Sequence, residues 1–147
     1  MGNELFGNTL FNIEEVEVLS IPSKTILLEE GKIADKLYFI RKGCLRLFFY
    51  NERKDITFQF FFEGDFVASF DSLYKGTPSL FSLESIEPSE VLFIKKKDFY
   101  KKIESNPSLR LLYEEKIIER FSFFQLLLLS RIKFTPLQWD DELLKLY

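Results

Sequence analysis

The sequence predicts a mostly β domain with helices, in which a barrel or sandwich of short strands is followed by one long helix. Six short apolar segments recur at a spacing of roughly ten residues, with turn residues between them, as in barrels and sandwiches. Phe, Tyr and Trp make up 17% of the 147 residues, and large aromatic side chains suit half-buried pleated surfaces. After Ile94 the apolar period lengthens from about 2 to about 3.6 residues, which is the period of a helix.

The predicted strands are bounded by glycine, proline and charged turn residues. They cover residues 25–28, 37–40, 45–50, 56–62, 81–86 and 90–94. In the fourth strand Phe58, Phe60 and Phe62 alternate, so we expect them to form one face buried in the core. Residues 5–20 have a loose amphipathic pattern that predicts a short helix or two, ended by Pro22.

Two helices are predicted after the strands. Residues 97–103 form a short one, and Ser105-Asn106-Pro107 is a strong start signal for the second, with a capping residue before a proline at the first helical position. Neither Gly nor Pro interrupts the sequence from there to about Lys133, so this helix is about 40 Å long. Apolar side chains lie on more than one of its sides, so we expect it to pack on its own domain and on a second copy in a parallel homodimer. The residues expected at the dimer interface are Tyr113, Ile117, Arg120, Phe121, Phe124, Leu127 and Leu128.

The lack of histidine and the single cysteine exclude several classes of protein. Without histidine there is no Ser-His-Asp triad and no histidine-bound zinc, iron or haem, so we predict no enzymatic activity, no metal and no cofactor. Cys44 alone forms no internal disulfide and holds no iron–sulfur cluster, which fits a reducing, cytoplasmic compartment. The apolar runs are too short to cross a membrane, and the N-terminus lacks the features of a signal peptide. The net charge is −3, and the mildly basic balance of residues 95–147 is too weak to indicate nucleic-acid binding by itself.

Three segments carry a resemblance to a known family. Glu30-Gly31 is followed by Leu37-Tyr38-Phe39-Ile40-Arg41-Lys42-Gly43, residues 62–66 read Phe-Glu-Gly-Asp-Phe, and residues 91–99 read Val-Leu-Phe-Ile-Lys-Lys-Lys-Asp-Phe. In this order the segments resemble the cyclic-nucleotide-binding domain of the Crp/Fnr family of bacterial transcription regulators, over roughly residues 12–134. The resemblance implies a double-stranded β-helix (jelly roll) with short flanking helices over residues 1–105, followed by a dimerisation helix over residues 106–134.

The resemblance also bears on the end of the chain. Residues 131–146 are similar to the hinge and first helix of the family's winged helix-turn-helix domain, so residues 135–147 are expected to be a stub of a truncated DNA-binding domain. The recognition helix that would enter the major groove does not follow, so binding to DNA is expected only if a missing C-terminal domain is present. A natural truncation, a frameshifted gene and an expressed fragment all remain open.

The resemblance implies a ligand pocket in the segment that begins at Gly64-Asp65. Nucleotide-binding members use a Gly, a Glu that accepts from the ribose hydroxyl, and an Arg beside Ser or Thr that neutralises the cyclic phosphate. Here Ala68, Ser69 and Ser79-Leu80 stand at those positions, so the predicted pocket residues are Gly64, Asp65, Ala68, Ser69, Ser79 and Leu80. Lys75 is the one cation between residues 64 and 85, and we therefore expect no tight binding of cAMP or cGMP.

Three other features have a functional and a plain structural interpretation, of which we favour the structural one. For Cys44 the functional interpretation is a redox sensor, and the structural one is a buried thiol. The lysines within residues 95–102 contact phosphates, or they form a solvated helix start. A group of polar residues lines a pocket for another polar ligand, or it caps a short helix: Ser69, Asp71, Ser72, Ser79 and Ser82.

The leading hypothesis for function is the effector-sensing and dimerisation portion of a Crp/Fnr-like transcription regulator, with a degenerate nucleotide pocket and an unknown small-molecule effector. The alternative is a stand-alone module on the same fold that binds a ligand or a protein and does not bind DNA. A cupin-type enzyme shares the jelly-roll layout, but the lack of histidine removes its usual metal site.

Overall fold

The computed structural model describes residues 17–133. The helices predicted before residue 17 and the DNA-binding stub predicted at residues 135–147 lie outside the described residues. The chain divides into two units, Met1–Leu109 and Arg110–Tyr147, and each is described by itself.

Within residues 17–109 the structure describes eight strands and two helices, and a third helix begins at residue 107 and continues to residue 133. The strands are β1 (Glu17–Ile21), β2 (Ile26–Leu28), β3 (Lys36–Lys42), β4 (Leu45–Asn51), β5 (Lys54–Phe61), β6 (Phe66–Val67), β7 (Ser82–Ser85) and β8 (Ser89–Lys95). The helices are α1 (Phe70–Lys75) between β6 and β7, α2 (Lys96–Ser105) and α3 (Pro107–Lys133).

The strands form two antiparallel four-stranded sheets, with the orders β1-β8-β3-β6 and β2-β7-β4-β5. β4 and β5 form a hairpin, but most other neighbours are distant in sequence, as in β8 pairing with both β1 and β3. This arrangement is an antiparallel sandwich of the jelly-roll type with a long C-terminal helix, so the predicted fold class is confirmed.

The core lies between the inner faces of the two sheets. It is built from alternating strand residues and completed by partly buried side chains such as Leu19, Leu27 and Phe93. The buried members of this cluster are Tyr38, Ile40, Leu45, Leu47, Phe61, Val67, Leu83 and Val91.

Two strands were not predicted. β1 occupies the last part of the segment expected to be helical, because Glu17–Ile21 pairs residue by residue with β8 and the sheet overrides the weak amphipathic pattern. β6 has only Phe66 and Val67, both buried beside β3, and a strand of that length leaves no periodic signal.

The prediction that Phe58, Phe60 and Phe62 form a buried face is wrong. Their exposed fractions are 43%, 50% and 58%, while Phe61 between them is buried at 3%. β5 is the edge strand of its sheet, and its register with β4 shifts between Leu47 and Phe48, so no β4 residue pairs with Phe58.

The start of α3 follows the predicted signal. Asn106 precedes the helix and its side-chain oxygen accepts a hydrogen bond from the Leu109 N–H at 3.1 Å, while Pro107 occupies the first helical position. No helix within residues 17–133 combines the length and apolarity that crossing a membrane requires.

Candidate ligand pocket

Four buried serines, Ser69, Ser72, Ser79 and Ser82, lie along the segment in which the pocket was predicted, and we call them the serine cluster. Ser69 immediately precedes α1, Ser72 lies inside that helix, Ser79 follows it, and Ser82 begins β7. Each has an exposed fraction of 3% or less, so its hydroxyl needs a protein partner.

Ser69 and Ser79 are partners of each other. Their hydroxyl oxygens lie 2.9 Å apart, and the Ser79 hydroxyl also donates to the Phe81 carbonyl at 2.7 Å. These are two of the positions at which the sequence resemblance led us to expect the Glu and Arg of a nucleotide-binding pocket. Here the two side chains are neutral and bonded to each other.

Ser72 and Ser82 tie the same segment to the loop between β2 and β3. The Ser72 hydroxyl accepts from the Ala34 N–H at 2.8 Å and donates to the Thr77 carbonyl at 2.5 Å. The Ser82 hydroxyl accepts from the Glu30 N–H at 2.8 Å. The hydroxyls thus satisfy backbone groups, and every buried side-chain oxygen or nitrogen within residues 17–133 has a hydrogen-bond partner.

Backbone bonds fix Ser79 from both sides. Its N–H donates to the Lys32 carbonyl at 2.7 Å, and its carbonyl accepts from the Gly31 N–H at 2.8 Å. The segment after α1 is therefore held against the β2–β3 loop by main chain as well as by side chains.

The other predicted pocket residues have different environments. Gly64 and Asp65 form the turn before β6, where the Gly64 N–H donates to the Ile40 carbonyl at 2.8 Å and the Asp65 carboxylate accepts from the Phe62 N–H at 2.9 Å. Ala68 is buried, whereas Leu80 has an exposed fraction of 76%. The structure brings Ser69 and Ser79 into direct contact and gives Gly64 and Asp65 bonds that close a turn.

Lys75, the one cation between residues 64 and 85, pairs with a carboxylate outside the serine cluster. Lys75 lies in the last turn of α1 and pairs with Asp71 at 3.1 Å, with both side chains 61% exposed. The capping interpretation is wrong for Ser69, which stands at the N-cap of α1 without a side-chain capping bond. Asp71 lies in the first turn of α1, where the helix dipole stabilises a carboxylate.

A charged cluster around Arg46 was missed by sequence reasoning. Its guanidinium lies 2.6 Å from the Asp55 carboxylate, 2.8 Å from that of Glu84 and 2.7 Å from the Thr57 hydroxyl. It also stacks over the Phe48 ring, 4.1 Å from the centroid. The cluster links β5, β4 and β7.

The members of the Arg46 cluster shift one another's pKa values. Burial disfavours the charged guanidinium, but the hydrogen bonds to Asp55 and Glu84 outweigh it and raise the pKa of Arg46. The hydrogen bond from Arg46, followed by its charge, lowers the pKa of Asp55. The signal in the sequence was an arginine within an apolar strand, but its partners depend on the register of three strands.

Cys44 has the environment of a structural thiol. Its side chain is buried, and burial, followed by the charges of Glu87 and Asp65, raises its pKa. A redox-sensing cysteine needs a lowered pKa and access to solvent. Within residues 17–133 no group of three or more His, Cys, Asp or Glu side chains stands ready to hold a metal ion.

Two surface cavities are lined by other residues than the serine cluster. The larger, about 590 Å³, lies beside β8 and α2 and includes Lys95, Lys101 and Lys102, with the carboxylates of Glu17 and Asp98 among them. The smaller, about 450 Å³, lies near Ile21, Pro22 and Pro88. In the larger cavity the lysines share the wall with acidic groups, which favours the solvated interpretation over a phosphate site.

Comparison with protein families gives one match. Residues 9–106 match the model of the cyclic nucleotide-binding domain. No curated protein matches the sequence.

Solved structures share the fold at low sequence identity. The chain is similar to the Thermus thermophilus Catabolite Activator Protein, with a TM-score of 0.67 and 18% identity, over 80% of this chain and 60% of that one. It is also similar to the sensor domain of the transcriptional regulator DNR from Pseudomonas aeruginosa, with a TM-score of 0.63 and 15% identity, over 79% of this chain and 77% of that one. The regulatory domain of Toxoplasma gondii PKA, crystallised with cAMP, gives a TM-score of 0.57 and 17% identity, over 68% of this chain and 42% of that one. The chain therefore spans 60% of the length of the Thermus protein and less of the PKA chain.

Proposed function

The chain belongs to the cyclic nucleotide-binding domain family, and from this premise we propose that it is the sensing and dimerisation portion of a Crp/Fnr-like transcription regulator whose pocket does not bind cyclic nucleotides. Its neighbours among solved structures include regulators of this type, and the fold is a regulatory one. The proposal concerns what the pocket accepts and how two copies associate.

The observation that carries the proposal is the serine cluster. Ser69 and Ser79 are buried, neutral and bonded to each other, with 2.9 Å between their oxygens. A cyclic phosphate bound there would be removed from water without a cation, since Lys75 is exposed and paired with Asp71. Burying an uncompensated charge costs several kcal/mol, as an order of magnitude. The hydroxyl protons of Ser72 and Ser79 are engaged by the Thr77 and Phe81 carbonyls, which leaves them unable to donate to a phosphate unless those bonds break.

Calorimetry with cAMP and with cGMP tests this proposal. We expect no binding tighter than about 1 mM, which corresponds to about −4 kcal/mol. The regulatory domain of Toxoplasma gondii PKA, which was crystallised with cAMP, is the positive control. A micromolar dissociation constant for the unmodified chain would overturn the proposal.

A matched variant separates charge from shape. Leu80 is exposed and adjacent to Ser79, so Leu80→Arg adds a cation without disturbing the core. Binding gained by this variant, but not by Leu80→Gln, would identify charge as the missing element. A ligand for the unmodified protein would then have to be uncharged or cationic.

We further propose that the chain forms a homodimer through α3. The support is the number of large apolar side chains that this helix leaves exposed. Of the predicted interface residues, Phe121, Phe124 and Leu128 have exposed fractions of 62%, 41% and 63%. The others, Tyr113, Ile117, Arg120 and Leu127, are half-buried within the chain. Soluble monomers rarely leave extended apolar patches uncovered.

The boundaries that go with this proposal are residues 1–105 for the β domain, 106–134 for the dimerisation helix and 135–147 for the start of a DNA-binding domain. DNA would be a partner only of a protein that carries the rest of that domain. A gel shift with this chain at about 150 mM salt should show no band that survives competitor DNA.

A further inference from the structure

The cavity of about 590 Å³ beside β8 and α2, which we call the β8–α2 cleft, has a wall with a regular origin. The residues that α2 contributes follow the i, i+3, i+4, i+7 spacing of a single helix face: Asp98, Lys101, Lys102 and Ser105. The strands contribute the rest of the wall: Glu17, Phe93, Ile94 and Lys95. The volume lies within the range of about 300–1,000 Å³ that is usual for small-molecule sites.

Both walls of the β8–α2 cleft are anchored to the core. Phe99 holds α2 in place, since it lies on that helix and is fully buried. On the strand side, Phe93 packs against the core, and its ring centroid lies 6.4 Å from that of Tyr38. Glu17 is paired with Phe93 in the ladder between β1 and β8. The charged groups of the cleft therefore stand on regular elements, which position side chains more precisely than loops do.

Most charges of the cleft are not used in ion pairs. Four of its five charged residues are exposed and form no ion pair within residues 17–133: Glu17, Lys95, Asp98 and Lys101. The fifth, Lys102, is half-buried and already engaged. Lys36, whose ammonium lies 5.6 Å from the centroid of the Phe93 ring, is paired with Asp35 at 3.3 Å. The cleft thus offers two cations and two carboxylates to a ligand.

We propose that the β8–α2 cleft binds a small zwitterion with an apolar side chain, the chemical class of the neutral α-amino acids. Lys95 and Lys101 supply the positive charge for its carboxylate. Glu17 and Asp98 supply the negative charge for its ammonium group. The half-buried ring of Phe93 is the apolar surface on which the side chain of the ligand rests.

The mixture of charges selects this class against its neighbours. A phosphate or a simple carboxylate meets the two acidic groups of the cleft, and a simple amine meets the lysines, so a ligand of one sign is repelled in part. A zwitterion satisfies both signs at once. The inference concerns a second site, apart from the serine cluster and from α3, so its failure leaves the proposed function unchanged.

Equilibrium dialysis of the full chain with labelled L-leucine tests the ligand class. We expect a dissociation constant of about 1 mM or lower. Isocaproate lacks the ammonium group of leucine and isoamylamine lacks its carboxylate, so each should compete at least about threefold more weakly than unlabelled leucine. Glycine keeps both charges without the side chain and should also compete more weakly. No bound leucine at about 10 mM, or equal competition by isocaproate or isoamylamine, would overturn the proposal.

Substitutions test the location of the site. Glu17→Gln and Lys101→Gln each remove one charge from an exposed side chain, so the fold is not at risk, and each should raise the leucine dissociation constant at least about threefold. Glu104→Gln and Lys97→Gln are the matched controls, since both residues are exposed on α2 and lie outside the cleft wall. They should leave the constant unchanged. Unchanged binding by Glu17→Gln and Lys101→Gln would place the leucine elsewhere and refute the assignment.

Discussion

The serine cluster and the long helix α3 differ in which kind of side chain they bury. In the β domain, four small polar residues are buried and bonded to the protein itself. On α3, eight large apolar residues are exposed to solvent. Satisfied polar groups have little to gain from a ligand, whereas exposed apolar groups gain from being covered. The proposed function rests on this difference, since a cyclic phosphate would find no cation among the buried serines and a second copy would cover apolar side chains of α3.

The largest effect is expected when apolar residues of α3 are replaced by charged ones. Replacing both Phe124 and Leu128 by Glu removes two large apolar side chains and introduces like charges on both copies. Because each apolar side chain contributes about 1.5–3 kcal/mol when buried, we expect the dimer dissociation constant to rise more than about a hundredfold. Light scattering across a concentration series measures it. Leu126→Glu, on the same helix but not among the predicted interface residues, is the control and should leave the mass unchanged; equal effects in both would contradict the interface.

The closed packing of the β domain is tested next at Gly43. This residue has a φ of 104°, and a Cβ there would lie 2.1 Å from the Ser89 Oγ and 2.8 Å from the Ser89 Cα. The Ser89 hydroxyl also accepts from the Cys44 N–H at 3.2 Å, so it is not free to move away. We expect Gly43→Ala to lower the free energy of unfolding by about 2–3 kcal/mol in urea titrations.

Gly31 provides the control for Gly43. Its φ is 90°, and a Cβ there would meet nothing within 4 Å. Gly31→Ala should therefore lose only about 1 kcal/mol, from the left-handed backbone conformation. A loss equal to that of Gly43→Ala would show that backbone conformation alone, and not the close approach of Ser89, sets the cost.

Most of the β domain could be predicted from the sequence because its signals are local. β3, β4 and β8 combine apolar alternation with charged or glycine turns, and each lies within a few residues of its predicted position. β1 and the burial of β5 could not be predicted, because pairing with β8 decides the first and a register shift at an edge decides the second. Those are relations between segments distant in sequence.

The candidate site shows the same limit. The sequence, with its family resemblance, located Ser69 and Ser79 and predicted that the pocket lacks a cation. It did not predict that the two hydroxyls bond to each other. That contact depends on the path of the chain from α1 to β7, which the bridge between Pro78 and Ile33 in the loop after β2 helps to fix. Arg46, Asp55 and Glu84 are equally scattered, and only the strand registers bring them together.

A smaller effect is expected when one serine of the cluster is removed. Ser72→Ala deletes the acceptor of the buried Ala34 N–H and the donor to the Thr77 carbonyl. An unsatisfied buried backbone group costs about 1–3 kcal/mol, so we expect a loss of about that size in urea unfolding. Ser105→Ala, whose exposed hydroxyl makes one long bond of 3.3 Å to the Lys102 carbonyl, is the control. Equal stability of the two variants would contradict a structural role for the cluster.

The smallest effect is expected for the ion pair between Arg46 and Asp55, in how the stability of the protein changes at acid pH. The hydrogen bond from Arg46, with its charge, lowers the pKa of the exposed Asp55 in the folded state. A carboxylate with a lowered pKa releases its proton more readily when folded, so its contribution is present above the unfolded pKa of about 3.9 and is lost as the pH falls through the folded value. Asp55→Asn should therefore lower the unfolding midpoint slightly at neutral pH, since an exposed ion pair contributes little, and the midpoints of the two proteins should converge as the pH falls below about 4. Asp71→Asn, in an exposed pair with Lys75, is the matched control. If Asp55→Asn kept the full acid dependence of the unmodified protein, the link between Arg46 and Asp55 would not be formed in solution.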